Sequence, residues 1–208
     1  MLVSPPVGTN WRLVFADEFA GTTLDQTKWT TGYWWDGPDG SSNYGNQELE
    51  WYVRDEVLVT GGLLRLRARR RPLNGYGYTS GMVSSEDRFG FQYGYAEAMV
   101  RVPKGKGLWP AFWLAAEDRR WPPEIDVFEI LGDTPSKAYM NYHWKQPDGS
   151  NKGGGIVSWT GPDFSAGFHR FGVLWEPGQL VWYVDGVERH RATLNVSAET
   201  MYLIANLA

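Results

Sequence analysis

Trp121-Pro-Pro-Glu-Ile-Asp-Val-Phe-Glu-Ile-Leu131 is the stretch that decides the fold, because it places three carboxylates inside one short apolar segment. Its β-branched and aromatic residues are typical of a strand with one buried face. Side chains alternate along a regular strand, so Glu124 and Asp126 share a face, whereas Glu129 would point into the core. One extra residue, inserted as a β-bulge at Val127-Phe128, returns Glu129 to the other acids, and bulges are common beside active sites. We therefore predict a bulged strand with all three acids on one face.

Three acids on such a strand favour a catalytic role. Unpaired acids on a half-buried strand are costly without a function, and perturbed acids cluster at functional sites. Two carboxyl groups across a scissile bond carry out glycoside hydrolysis, about 5–5.5 Å apart in retaining enzymes and about 6.5–9.5 Å apart in inverting ones. The spacing in sequence leaves both geometries open.

The segment resembles the signature of glycoside hydrolase family 16 in its bulged form, Glu-x-Asp-x-x-Glu, which is typical of laminarinases, agarases and carrageenases. Other stretches are similar to family segments and occur in family order. They are Leu13–Phe19, Leu24-Asp25, Trp29, Gly45–Leu49, Tyr78–Gly81 and Gly107–Trp113. The resemblance implies an all-β jelly-roll sandwich of two antiparallel sheets, one of them curved into an open concave substrate cleft. It also implies a single catalytic domain over residues 1–208.

The resemblance further implies an endo-acting, retaining β-glycoside hydrolase. Glu124 would be the nucleophile, and Glu129 the acid that protonates the leaving oxygen and then deprotonates water. Asp126 would lie between them. Three close carboxylates cannot all be ionised cheaply, so at least one pKa should be raised, as a general acid requires.

The aromatic content predicts a sugar-binding surface. Twelve Trp and eleven Tyr exceed what a core of this size needs, and sugar rings stack on aromatic planes. Trp109, Ala111 and Trp113 share a strand face opposite Leu108 and Phe112, so the two Trp either line the cleft with the acids or pack in the core.

The predicted substrate contacts come from the strand with Trp109 and Trp113, the acid segment, a strand adjoining it that carries His143, and the segments around Trp34 and Asn46. The set is Trp34, Asn46, Trp109, Trp113, Trp121 and His143. Glu48, near Asn46, is either a ligand contact or a structural strand acid. Core positions are favoured for Trp175 and Trp182, in the hairpin-like stretch Phe171–Val187 around the turn Asp185-Gly186. Exposed or capping roles are favoured for His169 and His190.

The charge pattern argues for a neutral polymer as the partner. A formal net charge of −4 and a pI near 5.4 disfavour nucleic acid and anionic membranes. The basic run Arg65–Arg71 alternates with apolar residues, which predicts a solvated strand face without a function.

No cofactor or catalytic metal is expected. The chain has no cysteine and three scattered histidines, which gives no thiol chemistry and no local zinc pattern. The resemblance leaves a structural calcium open. The chain shows no signal peptide and no membrane-spanning stretch, so an extracellular location follows from the function alone.

Two departures from the family pattern bear on the prediction. Met82 follows Ser80-Gly81 where many laminarinases have Arg, which weakens a laminarin assignment. The chain ends at Ala208, before the loop and final strand of the family, so about 30–40 residues are expected to be missing from the sandwich. The protein should be a monomer unless that end drives association.

The preferred substrate is a β-1,3- or mixed β-1,3/1,4-glucan. A galactan-type polymer ranks second, because nothing in the sequence suggests a basic pocket for sulfate groups. A transglycosylase would share every catalytic residue. A glycan-binding module without catalysis would usually lack one or both glutamates, which this chain retains.

Overall fold

A computed structural model of the protein describes residues 8, 10–36, 40–146, 148–153 and 157–208. These residues form two 3-10 helices, Tyr44–Asn46 and Arg54–Glu56, and seventeen β-strands. In chain order, the strands are β1 (Glu50–Tyr52), β2 (Val57–Thr60), β3 (Leu63–Leu66), β4 (Tyr78–Ser80), β5 (Met82–Ser84), β6 (Gly90–Phe91), β7 (Gly94–Val100), β8 (Pro110–Ala116), β9 (Glu124–Ile130), β10 (Lys137–Tyr139), β11 (Tyr142–Lys145), β12 (Asn151–Gly153), β13 (Ser158–Thr160), β14 (His169–Glu176), β15 (Gln179–Val184), β16 (Val187–Ala192) and β17 (Met201–Leu207). No helix in the described ranges is long and apolar enough to cross a membrane.

The larger sheet has nine strands and contains the acid strand β9. Its main path runs β12-β11-β9-β8-β17-β5, with β10 and β13 continuing from β9 and β6 pairing with β17. Strand β17 is antiparallel to β8 on one side and to β5 and β6 on the other, so it is an interior strand. The further strand expected beyond it stays a prediction.

The second sheet has four antiparallel strands in the order β16-β15-β14-β7. The turn Asp185-Gly186 joins β15 to β16, with positive φ angles of 52° and 78°. Positive φ at both central residues is the requirement of a tight hairpin turn, and Asp-Gly meets it. The stretch predicted as hairpin-like is therefore part of a three-stranded meander.

The main core lies between these two sheets. Phe128 of β9 contacts Phe171 of β14, with ring centroids 4.4 Å apart. Trp175 and Trp182 have no exposed surface, which confirms the core positions predicted for them. The indole N–H of Trp182 donates to the backbone oxygen of Asp126 at 2.7 Å, so the acid strand is hydrogen-bonded to the opposite sheet.

One strand pair departs from the predicted antiparallel architecture. Strands β1 and β4 pair in parallel, with Trp51 opposite Thr79. Parallel neighbours need a long crossover connection, and the β2–β3 hairpin lies within the chain that connects them. Alternating hydrophobicity predicts strands but does not reveal which of them cross over.

The basic run is paired as well as solvated. Arg67, Arg69 and Arg71 all lie within 4 Å of the carboxylate of Glu56, whose side chain has no exposed surface. The arginine side chains remain 36–43% exposed. The prediction of a solvated face for this run therefore missed its buried acidic partner, Glu56, which lies 11 or more residues away in sequence.

Candidate active site

The bulge predicted in β9 is present. Ala111 of β8 lies opposite Glu129, and Trp113 lies opposite Asp126, whereas Phe112 pairs with Phe128. Val127 is therefore the extra residue. The bulge sends both apolar side chains between the acids into the core and leaves Glu129 on the face of the other two acids, here named the carboxylate face.

His143 of β11 lies directly opposite Glu124 in the sheet. Its Nε2 is 3.5 Å from Glu124 Oε1 and 3.4 Å from Asp126 Oδ2. The Asp126 side chain is 4% exposed, and its Oδ2 has no hydrogen-bond donor among the described residues. Trp121, on the loop before β9, donates from Nε1 to Glu124 Oε2 at 3.1 Å.

The pKa values of Glu124 and Asp126 are both raised well above their usual range. Burial is the main cause for each. The charge of Asp126 raises the pKa of Glu124 further, and the charge of Glu129 does the same to Asp126. His143 and Trp121 oppose the shift at Glu124, but they do not cancel it. Neighbouring carboxylates in such a site favour retention of a proton.

Glu129 lies in a more balanced environment. Burial raises its pKa, whereas a hydrogen bond from Asn141, the charge of His143 and a hydrogen bond from Trp109 lower it. Asn141 Nδ2 donates to Glu129 Oε2 at 2.7 Å. The net pKa is raised, so this carboxyl combines easy protonation with a donor that can stabilise its ionised form.

Glu124, Asp126 and His143 also resemble a metal-ligand set, because one ligand atom from each lies within 4.8 Å of the others. The same geometry is expected of acids that share a proton beside a histidine. The absence of a metal role therefore stays a prediction.

A hydrogen-bonded chain connects Trp113 to the chain segment around Asn46. Trp113 Nε1 donates to Asn206 Oδ1 at 2.9 Å, and Asn206 Nδ2 donates to the Tyr52 hydroxyl at 3.0 Å. Tyr52 donates to Glu48 at 2.8 Å, and Asn46 donates to the other oxygen of Glu48 at 3.2 Å. Trp113 lies opposite Asp126 in the sheet and so on the carboxylate face, and these hydrogen bonds link it to Asn46.

Burial raises the pKa of Glu48 to about 7, with a further contribution from Glu50. A Glu with this pKa is largely protonated at mildly acidic pH. Glu48 accepts hydrogen bonds from Tyr52 and from Asn46, which is itself a predicted ligand contact. Both roles considered for Glu48 therefore stay predictions.

The remaining predicted contacts differ in their burial and in their contacts with the acids. Trp109 precedes β8, is half-buried and hydrogen-bonds Glu129. Trp121 and Trp34 are 54% and 45% exposed. Trp34 lies in a loop whose residues 37–39 are outside the described ranges. Met82 is fully buried in an apolar cluster with Tyr33, Tyr52, Tyr202 and Ile204.

The sequence reasoning missed Asn141, Asn206 and Tyr52. Asn141 precedes His143 by two residues, so strand alternation could have found it. Asn206 and Tyr52 are 154 residues apart, and no local pattern relates them. His169 and His190 lie on the other sheet, where His169 pairs with Asp185 at 2.8 Å.

A two-sheet β-sandwich with clustered carboxylates and tryptophans on one sheet face is the architecture of a carbohydrate-active protein. Residues 45–205 match the sequence model of glycosyl hydrolases family 16, and the chain belongs to that family. The family predicted from the sequence is therefore confirmed.

Named relatives are similar to this chain over most of its length. It is 37% identical over 93% of its length to the endo-1,3-1,4-beta-glycanase EglC of Rhizobium meliloti (strain 1021), and 34% identical to ExsH of the same strain. The chain spans 45% of the length of each of these two proteins. The crystal structure of an endo-beta-1,3-glucanase from Pyrococcus furiosus is 33% identical, with a TM-score of 0.83 over 95% of this chain and 84% of that one. The all-β jelly-roll fold predicted from the sequence is confirmed.

Proposed function

We propose that this chain is the catalytic domain of an endo-acting, retaining hydrolase of β-1,3- or mixed β-1,3/1,4-glucans. The observation that carries the proposal is the bulge at Val127, because it places Glu129 on the same face as Glu124 and Asp126. An acid whose pKa is raised by burial is suited to proton donation near neutral pH.

In the first step, a carboxylate oxygen of Glu124 attacks the anomeric carbon, and the bond to the leaving sugar breaks. The leaving oxygen takes the proton of Glu129. In the second step, water gives a proton to Glu129 and attacks the same carbon, which releases Glu124 as a carboxylate. Glu124 attacks as the ionised carboxylate, so the proton that burial favours on this pair is held by Asp126. His143 lies 3.5 Å from Glu124 Oε1 and lowers the pKa of Glu124, which favours its ionised form. The carboxyl groups supply every proton transfer, so the mechanism needs no cofactor.

Asn141 favours the second step. Its donation at 2.7 Å stabilises the ionised Glu129 that must deprotonate water. Burial opposes this effect and keeps the acid form available for the first step.

The substrate proposal is supported by the similarity to an endo-1,3-1,4-beta-glycanase and to an endo-beta-1,3-glucanase. A galactan-type polymer, transglycosylation and glycan binding without turnover are the alternatives. Retention of both glutamates argues against the last of these. Because a polysaccharide is too large to enter a cell intact, we propose that the protein acts outside it, as a monomer.

The test is chemical rescue of Glu124→Ala on soluble β-1,3-glucan and mixed-linkage β-glucan, with product sizing. The variant should lose at least about a thousandfold in turnover. Azide should restore activity and yield a glycosyl azide of inverted configuration, because the anion attacks from the side of the missing carboxylate. Wild-type protein should release a range of oligosaccharides, as endo-cleavage requires.

Glu117→Ala, at an exposed residue outside the site, is the matched control and should retain full activity without azide. A rescued product of retained configuration, or a fully active Glu124→Ala variant, would overturn the assignment. Cleavage of galactans alone would move the substrate to the second-ranked class.

A further inference from the structure

Arg119 lies on the loop between β8 and β9, two residues before Trp121. Its Nε lies 2.9 Å from Glu86 Oε1, and its Nη2 lies 3.1 Å from Asp87 Oδ2. The Glu86 side chain is 6% exposed, so one side of the guanidinium is anchored to a buried acid. The backbone of Arg119 has a φ of 65°, which is uncommon for a residue other than glycine.

The guanidinium also contacts the exposed ring of Trp34. Arg119 Cζ lies 5.0 Å from the centroid of that ring, within the range of a cation–π contact. Trp34 is 45% exposed. A large, exposed indole loses rotamer freedom when it binds a ligand, and a fixed cation on one ring reduces that cost.

Trp34 lies at the outer end of an aromatic row that starts beside the acids. Trp113 contacts Tyr33 at 6.4 Å between ring centroids, and Tyr33 stacks on Trp35 at 4.3 Å. Trp35 meets Trp34 edge to face at 5.6 Å. Three ring contacts therefore separate Trp34 from Trp113, which lies opposite Asp126. A sugar on Trp34 would therefore lie at the opposite end of this row from Trp113.

We propose that Arg119 is a positioning residue that holds Trp34 as a platform for a remote unit of the glucan chain. The inference rests on the proposed function, since it takes a β-glucan chain as the occupant. Arg119 acts through Trp34 and sets the preference for long substrates over short ones. It does not take part in bond cleavage.

The test is a chain-length series of β-1,3-gluco-oligosaccharides with Arg119→Ala, Arg119→Lys and Trp34→Ala. Arg119→Ala should raise KM for the longest oligosaccharides about two- to fivefold, as loss of an exposed cation–π contact predicts, with kcat unchanged. The shortest substrate cleaved should show no change. Lysine keeps the charge, so Arg119→Lys should restore part of the loss.

The double variant with Trp34→Ala and Arg119→Ala tests whether the two residues act as a unit. It should bind long oligosaccharides no more weakly than Trp34→Ala alone, because the arginine has no role without the indole. Arg120→Ala is the matched control and should leave every KM unchanged. Arg120 is adjacent and also pairs with two acids, Asp118 and Glu199.

An equal rise in KM at every chain length, additive losses in the double variant, or the same effect in Arg120→Ala would overturn the proposal. Calorimetric binding of the same series to Glu129→Gln, with and without Arg119→Ala, separates the two levels of inference. A loss of binding in Arg119→Ala that grows with chain length, without any turnover by the wild type, would refute the proposed hydrolase but support Arg119. Turnover with no length-dependent effect of Arg119 would do the reverse.

Discussion

The acids of β9 and the acid Glu56 are all largely buried, but their surroundings differ. Glu56 accepts hydrogen bonds from Arg67 Nε at 2.7 Å and Thr79 Oγ1 at 2.8 Å, and Arg69 Nη2 also lies 2.7 Å away. Burial alone would raise the pKa of Glu56, but the hydrogen bonds from Arg69, Arg67 and Thr79 lower it overall. Its charge is permanent across the physiological range.

No lysine or arginine of the described ranges forms an ion pair with the acids of β9. Among the described residues, His143 is the basic side chain within 4 Å of Glu124 and Asp126, and it lies 3.4–3.5 Å from both. The pKa values of all three acids are raised, chiefly by burial. These three carboxyl groups can therefore bind and release a proton at pH values at which Glu56 stays ionised.

The difference separates structural acids from chemical ones. A buried carboxylate with several arginines is stable as an ion and contributes to the fold. A buried carboxylate without them destabilises the fold at neutral pH but acquires a pKa useful for proton transfer. Such a trade of stability for activity is expected at catalytic sites.

The largest expected effect comes from neutralising each kind of acid in turn. Glu56→Gln should lower the free energy of unfolding by about 2–3 kcal/mol, because it weakens several charge-assisted hydrogen bonds from arginines that are 36–43% exposed and are therefore partly solvated in the variant. Glu124→Gln should unfold at or above the wild-type denaturant midpoint at pH 7, while losing activity. Urea unfolding followed by Trp fluorescence measures both.

Asp55→Asn is the control for Glu56→Gln, since Asp55 also pairs with Arg71 but is 71% exposed. It should change stability by under about 1 kcal/mol. A Glu124→Gln variant as unstable as Glu56→Gln would show that the acids of the two regions do not differ in their effect on stability.

Local patterns in the sequence were sufficient to predict the strand that carries the chemistry. Period-two alternation, interrupted once, predicts the bulge at Val127-Phe128. It also predicts that Ala111 and Trp113 share a face, and the structure shows that this is the carboxylate face. The Asp185-Gly186 turn and the buried Trp182 follow from the same kind of short-range signal. In each case, the information lies within a few residues.

Long-range partners could not be predicted in this way. Glu56 and Arg69 are 13 residues apart, and Trp113 and Asn206 are 93 apart. Their contacts depend on which strands become neighbours, and hydrophobic alternation does not determine that order. The role of Glu48 remained open for this reason, because its environment is set by Tyr52 and Glu50 in the folded chain.

Glu48→Gln should sharpen the comparison through pH. The pKa of Glu48 is raised to about 7 by burial, so the folded state binds a proton more tightly than the unfolded state. This group therefore stabilises the fold below its unfolded pKa of about 4.5, and that contribution is lost as pH rises through about 7. At 1.36 kcal/mol per pKa unit, the difference reaches about 3 kcal/mol.

The measurement is the difference in unfolding free energy between wild type and Glu48→Gln from pH 4 to pH 8. The variant should gain on the wild type as pH rises, since Gln cannot ionise. The exposed Glu117→Gln serves as the control and should give a difference that does not change with pH. A flat difference for Glu48→Gln would place this acid with Glu56, as a stable ion.

The smallest expected effect concerns Asn141, the donor that moderates Glu129. Asn141→Ala removes the 2.7 Å hydrogen bond to Glu129 Oε2, which favours the ionised carboxyl. The pKa of Glu129 should rise further, so the acid form should persist to higher pH. The alkaline limb of the kcat/KM profile, which reports the essential acid of the free enzyme, should then move to higher pH.

The cost in stability should be small, because Asn141 Oδ1 is buried without a hydrogen-bond partner among the described residues and its loss leaves no donor unsatisfied. Asn151→Ala, at an exposed position of β12, should leave the profile in place. An alkaline limb that stays fixed, or moves to lower pH, in Asn141→Ala would mean that Glu129 is not the proton donor whose ionisation limits the reaction.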